Sequence, residues 1–217
     1  MRSMLFVPGD SLRKFEKARE GKASMLILDL EDSIVVERKV EARELTRLML
    51  SKPRGPQQLY VRVNALDTGM TLQDLAAVMP AAPDGIVLPK SHGGDDVRTL
   101  SLWLDAFEAA AGAKPGATRI VVVATETAAS VFGLGTYKDS SPRLAGLMRG
   151  AEDLSASLGA TEKASAGVFQ SPYRLARDLC LIAAATAEVA AIDTVYTDLD
   201  NLAGLGQETR ASFIPSM

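Results

Sequence analysis

Short unbroken apolar runs alternate along this chain with longer stretches of helical character. The runs fall at residues 3–9 (SMLFVPG), 25–30 (MLILDL), 58–64 (QLYVRVN), 85–90 (GIVLPK), 119–126 (RIVVVATE), 144–150 (LAGLMRG) and 191–199 (AIDTVYTDL). Apolar runs of this length without clean alternation are what strands buried on both faces look like. The stretches between them include residues 11–21, 36–50 and 172–190, which have helical character. Strand and helix in turn predict βα units and a parallel sheet.

Two parallel architectures compete. A dinucleotide-binding sheet announces itself with a Gly-rich turn after its first strand. Here VPGDSLRK offers a single glycine, and no G-x-x-x-x-G-K-[ST] phosphate loop occurs anywhere. A (β/α)8 barrel fits better, because polar residues recur at the C-terminal ends of the strands, where barrel enzymes build their sites. No domain boundary, low-complexity tract or fixed-period repeat is visible, so residues 1–217 read as one barrel domain.

Those strand ends carry the candidate chemistry. The second run ends in Asp29, Glu31 and Asp32, the third in Arg62 and Asn64, and the fourth in Lys90. The fifth ends in Glu126, and the sixth leads into Glu152 and Asp153. Carboxylates crowded at one mouth repel one another unless a cation sits among them. Mg2+ suits such a place, since it takes one or two carboxylates and keeps waters or substrate oxygens. Arg62 suits a substrate carboxylate through a two-pronged contact. Each residue also has a purely structural reading. Asp32, Glu152 and Asp153 can cap or charge a helix N-terminus, and Arg62, flanked by Val61 and Val63, can face solvent. Glu126 is harder to explain that way, because IVVVAT has little reason to end in an acid.

Composition narrows the field. With 47% apolar and 24% charged residues and a formal charge of −3, the chain is an ordinary globular protein. It has no dense basic block, so nucleic acid is disfavoured as a partner. His92 and Cys180 each stand alone, which excludes a His-rich or thiolate metal site and a disulfide framework. No run reaches the ~20 apolar residues of a membrane span, and the N-terminus turns polar too quickly for a signal peptide. The expectation is a cytoplasmic protein.

At this point the motifs resemble a known group. RSMLFVPGDSLRKFEKA, LILDLEDSIVVERKVEAR, VRVNALDTGMTLQDL, DGIVLPKS, TETAASVFG and GAEDLSASLG occur in an order similar to that of the citrate lyase β-subunit-like family. That group includes malyl-CoA and citramalyl-CoA lyases and lies within the HpcH/HpaI aldolase superfamily. The resemblance runs from residue 2 to about 210. It implies a TIM-type barrel of the phosphoenolpyruvate/pyruvate class, a homotrimer or larger, with Mg2+ and a CoA thioester substrate that yields an α-keto acid. It implies that Glu126 and Asp153 bind the metal, with Glu126 also at the substrate. Arg62 would hold the α-keto acid, while Glu31 and Asp32 would hydrogen-bond the metal's water shell. Arg13 and Lys17 become candidates for the CoA phosphates, although solvated charges on an amphipathic first helix read equally well. Family members continue into an eighth strand and a helical lid. Here the seventh run is followed only by DNLAGLGQETRASFIPSM, so the expectation is a barrel whose last βα unit is incomplete, with residues missing from the sequence as read.

Overall fold

The computed structural model describes residues 3–162, 164–165, 168–198 and 200–212. Its frame is β1 (Met4–Pro8), α1 (Leu12–Arg19), β2 (Met25–Asp29), α2 (Lys39–Leu50), β3 (Gln58–Arg62) and α3 (Thr71–Val78). It continues through β4 (Gly85–Leu88), α4 (Gly94–Ala111), β5 (Arg119–Val123), α5 (Ala128–Gly133), β6 (Leu144–Met148) and α6 (Ala151–Ser157). A two-residue hairpin follows, β7 (Ala164–Ser165) with β8 (Val168–Phe169), then α7 (Ser171–Thr186), β9 (Ala190–Ile192) and α8 (Leu202–Ser212).

Seven strands form one sheet in the order β1-β2-β3-β4-β5-β6-β9, every pair parallel. Each crossover advances the chain by one strand in the same direction. Right-handed crossovers of that kind put all the helices on one face.

Strand alternation then sends each run into two different cores. Leu26, Leu28, Val61, Ile86, Leu88, Ile120, Val122 and Leu147 pack with Phe15, Met49, Leu75, Val97, Leu100 and Leu104 of the helices. The intervening residues Met25, Ile27, Tyr60, Val87, Val121, Val123 and Met148 form a second cluster, none more than 4% exposed. No helix of the βα series covers that face, so the sheet curls and these side chains bury one another. Two-sided burial is why the runs show no alternation in sequence.

The curled sheet has β1 and β9 as its edges, each with a single neighbour among the described residues. The architecture is α/β, as expected, and resembles a barrel left open between those strands. Residues 213–217, which hold most of the SFIPSM segment, lie outside the described residues. The seventh run yields a strand of only three residues, and the β7–β8 hairpin was not foreseen from sequence. No helix among the described residues is long and apolar enough to cross a membrane.

Candidate active site

Parallel register decides which side chains meet at the C-terminal end of the sheet. Asp29 and Arg62 are paired positions in the β2–β3 ladder. Arg62 donates from Nε to Asp29 Oδ1 at 2.7 Å and from Nη2 to Oδ2 at 2.8 Å. The same carboxylate accepts the backbone N–H groups of Glu31 and Ser33 at 2.9 and 3.1 Å, which turns the chain sharply after β2. Burial alone would raise the Asp29 pKa, but the Arg62 fork and these donors hold it below the ordinary value. The Arg62 guanidinium also lies over the Phe6 ring of β1, 4.9 Å from its centroid. Its two-pronged face is therefore engaged. Nη1 remains, 3.0 Å from Glu31 Oε2 and 3.5 Å from Asp32 Oδ2, and a carboxylate ligand at Arg62 would meet that nitrogen.

Lys90, just beyond β4, links the two halves of the site. Its ammonium donates to Glu31 Oε1 at 2.5 Å and to Asp32 Oδ1 at 3.1 Å. Its backbone N–H donates to Glu126 Oε2. The residue adopts φ +51°, a left-handed conformation that a lysine holds only under constraint from its surroundings. Glu31 is buried and Asp32 exposed. Burial raises the Glu31 pKa against the opposing pull of Arg62 and Lys90.

Glu126 is only 2% exposed. Its pKa is pushed up to about 8, chiefly by burial, with the Glu31 and Asp153 charges adding to the shift. Gly150 explains how it fits, because a Cβ at that position would collide with Glu126 Cγ. The missing side chain is a cradle in which Glu126 reaches toward the start of α6. There the N–H groups of Gly150 and Ala151 donate to Thr125 Oγ1 (3.0 Å) and Thr194 Oγ1 (3.2 Å), tying α6 to the ends of β5 and β9. Glu152 and Asp153 occupy the first turn of α6, where their charge also favours the helix N-terminus.

Phe6, Asp29, Asp32, Arg62, Glu126 and Asp153 all line one cavity of about 340 Å³. Among the described residues no three carboxylate, imidazole or thiol groups converge into a cage of protein ligands alone. Two hard oxygen donors facing a cavity fit Mg2+, which fills its remaining positions with water or substrate oxygens. Burying Glu126 close to other acids also leaves a site that a divalent cation would relieve.

Arg13 and Lys17 lie on the exposed side of α1 and do not line this cavity. Sequence reasoning did not find Lys39. It is a buried lysine in α2 whose Nζ donates to Leu30 O (2.7 Å), Glu31 O (2.7 Å) and Asn64 Oδ1 (2.8 Å). Asn64 in turn donates from Nδ2 to Asp74 Oδ2 at 2.7 Å, and Asp74 is paired with Arg43 at 2.7 Å. Burial lowers the Lys39 pKa. This network sits behind the Glu31–Asp32 turn and fixes its backbone. Also unassigned from sequence were Arg149, Asp193 and Thr194 at the ends of β6 and β9. The adjacency of those strands, not any local motif, brings Arg149 and Thr194 to the cavity wall, with Asp193 paired to Arg149.

The sequence model of the family described as HpcH/HpaI aldolase/citrate lyase matches residues 2–213. The citrate lyase subunit beta of Escherichia coli (strain K12) is 36% identical over 208 residues, covering 95% of this chain and 67% of that protein. The (3S)-malyl-CoA thioesterase of Cereibacter sphaeroides (strain KD131) is 32% identical over 219 residues, covering 95% of this chain and 67% of that one. The chain thus spans about two thirds of these relatives' length. Among solved structures, protein CitE from Mycobacterium tuberculosis in complex with magnesium, acetoacetate and coenzyme A superposes with a TM-score of 0.77 at 30% identity. That match covers 97% of this chain and 72% of the other.

Proposed function

The chain belongs to the HpcH/HpaI aldolase/citrate lyase family, and from that premise we propose that it is a Mg2+-dependent carbon–carbon lyase. The substrate would be a malyl-CoA- or citramalyl-CoA-type 3-hydroxyacyl thioester, and the products an α-keto acid and an acetyl or propionyl thioester. The observation that carries this reading is the pair Glu126 and Asp153, hard oxygen donors on one cavity that also holds Arg62.

Glu126 and Asp153 would hold the metal, and Mg2+ bound there would supply Lewis-acid polarisation of the keto acid oxygen. Arg62 is the anion-binding group. Asp29 fixes the plane of its guanidinium, and Nη1 is the nitrogen left to meet the carboxylate of the keto acid half. Glu31 and Asp32 would accept hydrogen bonds from water at the metal, while Lys90 offsets their charge and orients Glu126 through its backbone N–H. On cleavage the substrate hydroxyl loses its proton and becomes the keto oxygen. The electron pair of the broken carbon–carbon bond passes to the thioester as an enolate, which then takes up a proton. Fixed cations beside the cavity favour that developing negative charge. For the CoA portion, Arg13 and Lys17 on α1 offer cations to phosphates at the surface. α1 follows directly from β1, whose Phe6 lines the cavity. A homotrimer or larger assembly completes the proposal.

Malyl-, citramalyl- and citryl-type thioesters incubated with the chain and Mg2+ test it, with keto acid and free thiol measured in parallel. A lyase releases keto acid and a shorter thioester with no free thiol. Free thiol with the hydroxy acid intact is hydrolysis, the activity in the name of the C. sphaeroides relative, and would overturn the lyase reading.

A further inference from the structure

Lys90 holds a left-handed backbone that its surroundings must impose. The residue after it shows how. Ser91 is buried, and its Oγ donates to Gly93 O at 3.3 Å and accepts from the Gly93 N–H at 3.4 Å. Tyr137, also buried, donates from its hydroxyl to the same Ser91 Oγ at 3.1 Å. Tyr137 does not line the cavity that holds Arg62, Glu126 and Asp153.

Tyr137 stands just past α5, at the end of a short 3-10 turn (Leu134–Thr136). That turn is pressed against the loop after β4. The Gly94 N–H donates to Thr136 Oγ1 at 2.8 Å, and a Cβ on Gly133 would fall 1.8 Å from His92 O. At its other end α5 starts directly after Glu126, where Thr127 and Ser130 close a capping box. These connections make a ring. Glu126 accepts the Lys90 N–H, Lys90 leads into Ser91, Ser91 meets Tyr137, and Tyr137 returns through α5 to Glu126. One buried hydroxyl thus ties together the two chain segments whose hydrogen bond aims the Glu126 carboxylate.

We propose that Tyr137 is a positioning residue: through Ser91 it holds the Lys90 peptide N–H on Glu126, and so fixes the carboxylate that takes the metal. This inference rests on the metal reading above. Amide exchange followed by nuclear magnetic resonance, with Mg2+ calorimetry, tests it in wild type, Tyr137→Phe, Ser91→Ala and Tyr173→Phe. Tyr173→Phe is the control, since it removes an equally buried hydroxyl that has no partner among the described residues. Tyr137→Phe and Ser91→Ala should each speed exchange of the Lys90 amide at least about tenfold beyond any change at the amides of β4 and β5. General destabilisation would move all of these amides together. Both should also weaken Mg2+ about tenfold, the low end of what an outer partner of a metal ligand contributes. Tyr173→Phe should do neither. Should Tyr137→Phe fail to fold, Ser91→Ala carries the same two readouts. Wild-type Mg2+ affinity in the folded variants overturns this inference and leaves the metal reading standing. So does a Lys90 amide that moves only with its strands, or an equal loss in Tyr173→Phe. If wild type binds no Mg2+, the metal reading falls and this inference with it.

Discussion

Glu126 shows how one residue can join the core to the chemistry. It follows an apolar strand, is buried, and keeps a carboxylate whose pKa is pushed up to about 8 against an ordinary 4.5. The folded, metal-free chain therefore binds more protons at this group than the unfolded chain between those values. Its contribution to stability is full below the unfolded value and is lost as pH rises toward about 8. Metal binding requires the deprotonated form. Mg2+ titrated at pH 7 should therefore release close to one proton per ion, and affinity should climb with pH before levelling near pH 8. Calorimetry in buffers of different ionisation enthalpy reads the proton directly, and zero release would contradict the assignment. Lys90 gives a second case. Lys90→Met keeps the backbone N–H to Glu126 but strips the ammonium from Glu31 and Asp32. It should lower kcat more than it weakens Mg2+ affinity, which steady-state kinetics beside a Mg2+ titration would show. Glu126 was legible in the sequence because an acid ending such a run is out of place. The Asp29–Arg62 fork was not, since it depends on a register that only the folded sheet supplies.

At the scale of elements, the strands were legible because two-sided burial removes polar residues from them. The limits of β9 were not. The run continues past Ile192, but Asp193 turns to meet Arg149 and Arg177, so regular pairing stops there. α2 hid its most important residue. Lys39 sits in a charged helix that reads as solvated, yet its chain folds back to the buried turn after β2. Lys39→Met would leave Leu30 O, Glu31 O and the Asn64 side chain each short of a donor. A loss of about 1–3 kcal/mol is expected, visible as a lower midpoint in thermal or urea unfolding. A midpoint equal to wild type would show that water replaces the ammonium at no cost.

For the whole molecule, the sequential parallel sheet gathers residues from β1 to β9 at one end, although the strand ends that carry them lie far apart in sequence. That explains why the site was legible as a set of strand ends while its contacts were not. An assembly built on a trimer or larger should give a solution mass that is a multiple of 23.0 kDa, with light scattering as the check. On the proposed function, this end of the sheet is a metal-dependent keto acid site organised by Glu126 and Asp153. Calorimetric titration of a 2-oxo acid with and without Mg2+, in wild type, Glu126→Gln and Asp153→Asn, measures it most directly. Binding should require Mg2+ in wild type. Each substitution should weaken Mg2+ by more than the roughly 10–100-fold that loss of an outer partner costs, with melting behaviour retained. Keto acid binding of equal strength without metal, or undiminished Mg2+ affinity in both variants, would rule out a metal site at Glu126 and Asp153.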